Sequence, residues 1–68
     1  MNSTTMPSLT YDARSNMAYV RLSKAKVSGS EEISPGLVID YDEDGKIIAI
    51  EFQDAASQLP ADVLAKAG

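Results

Sequence analysis

The chain has no cysteine and no histidine. Without cysteine there is no disulfide framework, and nothing points to an oxidising compartment. Without either residue, Cys/His zinc sites are excluded, and so is any mechanism with a histidine base. No apolar run approaches the roughly 20 residues that a membrane span needs. Residues 1–6 are polar and lack the apolar stretch of a signal peptide. Basic residues are also scarce, with 6 Lys and Arg against 10 Asp and Glu and a net charge of −4. That field disfavours binding to a phosphate backbone. Lys24 and Lys26 form a local basic pair, which reads as a solvated loop. The 4 glycines are isolated, so no phosphate-cradling loop is present. These absences describe a cytoplasmic protein with no cofactor, no nucleic-acid or membrane partner and no catalytic residues.

What is present suits a small folded domain. The 68 residues allow one domain, and 44% of them are hydrophobic, which is ordinary for a globular protein. Residues 1–7 read as a polar arm and residues 8–68 as one β-rich domain. Alternation of polar and apolar residues predicts strands over 8–11 and 17–22, joined by a turn at 12–16. Residues 23–34 are polar and read as a connection, with at most an extended piece around Val27. Pro35-Gly36 is a turn signal opening a strand over 37–41. A last strand runs over 46–52. The Asp44-Gly45 pair between these two runs is a strong hairpin signal and requires a positive φ at Gly45. Residues 54–57 suit a helical turn. Pro60, at a first helical position, opens a short helix with Leu59, Val63, Leu64 and Ala67 on one stripe. The expected fold is α+β: a small antiparallel, meander-like sheet of about four strands in two hairpins, with a short C-terminal helix.

Asp40-x-Asp42-x-Asp44-Gly45, followed by five residues and then Glu51, also fits an EF-hand calcium loop. The context argues against it. An EF-hand needs a helix leading into the loop, and Pro35-Gly36 leaves room for barely one turn before Val38-Ile39, which prefer a strand. Asp42, Asp44 and Gly45 are therefore read as structural turn residues, and Asp40 and Glu51 as outward-pointing strand carboxylates. Tyr11, Tyr19 and Tyr41 are expected to fill the edge of the core and not to stack on bases.

The second hairpin does not alternate cleanly, because Leu37-Val38-Ile39 and Ile47 to Ile50 are consecutive apolar residues. Such runs belong to sheets covered on both faces, and one short helix covers only one. Leu37, Ile39, Tyr41, Ile47 and Ala49 are accordingly the candidate interaction residues, and a homodimer is the expected assembly. The functional reading is a non-enzymatic protein-interaction module, self-associating and able to bind a small protein partner. The alternative is a calcium-binding regulator using the acidic loop.

The order of pieces carries a resemblance. Tyr11-Asp12, residues 17–23, Glu31-Glu32-Ile33-Ser34 and residues 36–52 together resemble a widespread bacterial family, domain of unknown function 2283. Its most specific piece is the Asp-x-Asp-x-Asp-Gly hairpin ending in Ile50-Glu51. The aspartate usual before the second strand is here Asn16. The resemblance implies a small β-rich domain with no catalytic residues to carry over. Some members look like the antitoxin-side partner of small toxin genes, which implies a toxin as the kind of protein partner.

Overall fold

A computed structural model describes residues 6–67. Residues 1–5 of the expected arm and Gly68 lie outside the described residues. The elements are β1 (Ser8–Asp12), β2 (Met17–Arg21), β3 (Gly29–Ser34), β4 (Leu37–Tyr41), β5 (Ile47–Gln53), a 3₁₀ turn (Ala55–Ser57) and α1 (Ala61–Ala65). All five strands form one antiparallel sheet in the order β1-β2-β5-β4-β3. The α+β class and the two expected hairpins are present.

The sheet has five strands, not four. The missing one is β3, placed by the sequence reading in a polar connection. Every residue of β3 is exposed, so the alternation that marks a half-buried strand is absent from Gly-Ser-Glu-Glu-Ile-Ser. Its pairing is imposed from outside the segment. Pro35-Gly36 makes a two-residue turn, with Gly36 at φ +80°, that sets Ser34 opposite Leu37 and folds the chain back onto β4. The order is also only partly a meander. β3, β4 and β5 follow one another, but β2 pairs with β5, so the chain between β2 and β3 crosses the end of the β4–β5 hairpin. Pro60 precedes α1 as its N-cap, one residue earlier than expected. No residue of α1 is buried, and Val63 and Leu64 are half-buried.

Directly opposed residues share a face of a sheet, and neighbours along a strand alternate. The register therefore sorts the side chains. One face carries Leu9, Tyr11, Ala18, Val20, Leu37, Ile39, Ile50 and Phe52. The other carries Thr10, Tyr19, Arg21, Val38, Asp40, Ala49 and Glu51. The core is thin. The buried apolar residues among those described are Ala18, Ile39, Ile48, Ala49 and Ala55, and none of the larger side chains falls below 2% exposure. The molecule measures 36 × 33 × 17 Å.

Candidate functional site

Asp40, expected to point outward, is 3% exposed. It sits on the polar face in a row that runs Arg21, Ala49, Asp40, Ser30 across β2, β5, β4 and β3. The Tyr19 hydroxyl donates to Asp40 Oδ2 at 2.9 Å, and the Ser30 hydroxyl donates to Oδ1 at 2.6 Å. Tyr19 starts on β2, two strands away and so roughly 10 Å across the sheet. Its ring reaches Asp40 because the residue between them, Ala49, is a methyl group with 0% exposure. A larger side chain at 49 would occupy that path.

Arg21 extends the network to the crossing segment. Its Nη1 donates to the Tyr19 oxygen at 3.1 Å, its Nε donates to the Ser23 carbonyl at 2.7 Å, and its Nη2 donates to the Ala25 carbonyl. The chain between β2 and β3 is thereby held against the polar face. Burial, reinforced by the hydrogen bond to the Asp40 carboxylate, raises the Tyr19 pKa above its ordinary value of 10.0, and Arg21 opposes that shift. The Tyr41 hydroxyl donates to Glu31 Oε1 at 3.0 Å, which raises the Tyr41 pKa in the same sense, helped by burial. Every buried side-chain nitrogen and oxygen among the described residues has a hydrogen-bond partner.

The other end of the sheet is tied by Asn16, which adopts φ 56° in the left-handed region that asparagine tolerates. Its carbonyl accepts from Ala55 N–H at 2.8 Å, and its side-chain Oδ1 accepts from Ala56 N–H and from the Tyr11 hydroxyl, both at 3.0 Å. Its Nδ2 donates to Asp54 Oδ1 at 2.8 Å. One side chain thus joins the β1–β2 turn to the chain leaving β5. Tyr11 and Tyr19 are committed to these structural bonds.

The acidic loop is a tight hairpin turn flanked by β4 and β5, and no helix enters or leaves it. Gly45 has φ +79°, as the Asp-Gly pair requires. Asp42 Oδ1 accepts from the N–H groups of Asp44 and Lys46, both at 2.9 Å, so this carboxylate closes the turn. Asp40, the first residue of the EF-hand pattern, is occupied by Tyr19 and Ser30. Beside the turn, Asp40 pairs with Ala49 but Tyr41 pairs with Ile47, which leaves Ile48 as a bulge. Among the described residues no three acidic side chains converge as a metal site, and no pocket forms.

The candidate interaction residues are scattered by the fold. Leu37 and Tyr41 are half-buried, Ile39 is buried and Ile47 is 51% exposed. Ala49 lies under the polar network with no exposed surface, so it packs the domain's own interior and is removed from the interaction set. Sequence reasoning missed the Tyr19–Asp40–Ser30 network. The one local sign of it was an aspartate between Ile39 and Tyr41, at the end of the apolar run Leu37-Val38-Ile39.

No curated protein and no solved structure matches the chain. No described helix is long and apolar enough to cross a membrane. A family match spans β1 to Ala55 and takes in the whole sheet. By that match, over residues 8–55, the chain belongs to the family described as protein of unknown function (DUF2283).

Proposed function

We propose that the protein is a non-enzymatic interaction module that acts as a self-associated assembly. One observation carries this reading: a sheet with eight apolar or aromatic side chains on one face buries only Ala18 and Ile39 of them. Stable domains are built from packed layers around a core, and a chain this short without disulfides usually gains its extra burial from a partner. Exposed Leu22, at 42%, and Ile47, at 51%, add apolar surface that the domain leaves to solvent. The polar groups are spent on holding the fold, since Asp40, Tyr19, Arg21 and Asn16 all bond within the chain. Sedimentation equilibrium at micromolar concentration tests the reading. The expected mass is twice the 7.3 kDa of one chain or more. A mass that stays at 7.3 kDa on concentrating overturns it.

A further inference from the structure

The two edges of the sheet differ in kind. β3 carries the marks of a protected edge: Glu31 and Glu32 side by side, a register shift between Glu32 and Ser34, and Pro35 at its end. β1 is likewise flanked by a proline, Pro7, but has neither the glutamate pair nor the register shift. Its residues Ser8-Leu9-Thr10-Tyr11-Asp12 pair with β2 in unbroken register, and the only charge is at the last position.

The direction of the free backbone groups on β1 follows from the ladder. Leu22 N–H donates to Ile48 O at 2.8 Å, so the even-numbered residues of β2 direct their main chain toward β5 and the odd-numbered ones toward β1. Arg21, Tyr19 and Met17 therefore bond Ser8, Thr10 and Asp12. Leu9 and Tyr11 turn both N–H and C=O outward, which among the described residues leaves two donors and two acceptors in line on this edge.

We propose that this edge pairs with β1 of a second copy, antiparallel about a two-fold axis, joining two five-stranded sheets into one of ten strands. The inference rests on the self-association reading above and names an edge contact, which joins the two apolar faces into one and does not itself bury them. A two-fold that continues the sheet keeps each face on its own side, so a residue at the axis must oppose itself, and centring whole strands puts Thr10 there. Leu9 then faces Tyr11 of the second copy, twice, through main-chain hydrogen bonds, and their side chains extend the apolar face across the seam. Ser8 faces Asp12, so no like charges meet. Two β3 strands centred on Glu31 or Glu32 would set glutamate against glutamate.

In this register Thr10 opposes Thr10 as a non-hydrogen-bonded pair, with Cα atoms about 4.5 Å apart. That spacing suits a disulfide, and the chain has no other cysteine to compete. Thr10→Cys, oxidised with glutathione disulfide, is expected to form a covalent dimer. Ile33→Cys, on the opposite edge and 52% exposed in the parent residue, is expected not to. Thr10→Lys leaves an exposed position exposed in the single chain but sets lysine against lysine at the seam. It is expected to weaken association roughly tenfold or more by sedimentation while far-UV circular dichroism stays unchanged. Leu9→Pro is the second variant: it removes an outward N–H, which an edge strand tolerates, and is expected to give a folded single chain. If the parent protein assembles but Thr10→Lys and Leu9→Pro assemble as well as it does, or Thr10→Cys links no better than Ile33→Cys, the seam is wrong and self-association stands. If the parent protein is monomeric, both fail, and the edge is free for a foreign strand.

Discussion

Replacing Asp40 with alanine removes the acceptor at the centre of the cross-sheet network. Two hydroxyl donors lose their partner at once, Tyr19 at 2.9 Å and Ser30 at 2.6 Å. A hydrogen bond to a charged group contributes about 1.5–3 kcal/mol, and a buried donor left unmatched costs about 1–3 kcal/mol. Ser30 is exposed and finds water, so its share falls at the low end. Against this, alanine relieves the desolvation of a carboxylate that is 3% exposed. The net expectation is a loss of about 2–4 kcal/mol, which in a domain this small lowers Tm by roughly 10–25 °C. Asp40→Asn keeps the shape and one acceptor and loses about half as much. The assay is urea unfolding followed by circular dichroism at one fixed chain concentration, because association adds to apparent stability. A double-mutant cycle with Tyr19→Phe isolates the pair, with an expected coupling of about 1–2 kcal/mol. A loss under about 1 kcal/mol for Asp40→Ala, or additivity in the cycle, would show that desolvation cancels the bonds and that the network does not hold the sheet.

Two further expectations follow from the geometry. Gly45 and Gly36 share positive φ values of 79° and 80°, but a Cβ at 45 meets open space, whereas one at 36 lies 3.1 Å from both Gln53 O and Gln58 Nε2. Gly45→Val should lose about 1 kcal/mol or more to backbone strain alone, and Gly36→Ala should lose more than Gly45→Ala in the same denaturant assay; equal losses would mean that the contact at 36 is relaxed freely. Because the folded Tyr19 and Tyr41 pKa values lie above the unfolded value of 10.0, their contribution is complete below pH 10 and fades as pH rises through the folded values. Stability should therefore fall above about pH 10, and Tyr19→Phe should flatten that fall; an unchanged slope would remove Tyr19 from the account.

The pieces legible in the residues were those set within a few positions. Pro35-Gly36 and Asp44-Gly45 place turns because each demands a backbone angle that few residues adopt, and both glycines have it. β1, β2, β4 and β5 were visible because apolar side chains recur on their faces. β3 was not, because a fully exposed edge strand carries no apolar pattern and is held by its neighbour's backbone.

By itself, the sequence determined the turns, four strands, the short helix and the exclusion of histidine and cysteine chemistry. Only the tertiary structure decided that β2 docks on β5, that Asp40 turns inward to Tyr19 and Ser30, and that β1 lies at an edge of the sheet. The reason is range. A turn is settled by the dihedral preferences of two residues, whereas strand order depends on which surfaces meet. Tyr19 and Asp40 are 21 residues apart, and Asn16 and Asp54 are 38 apart. Neither member of such a pair shows its commitment until the sheet brings them together.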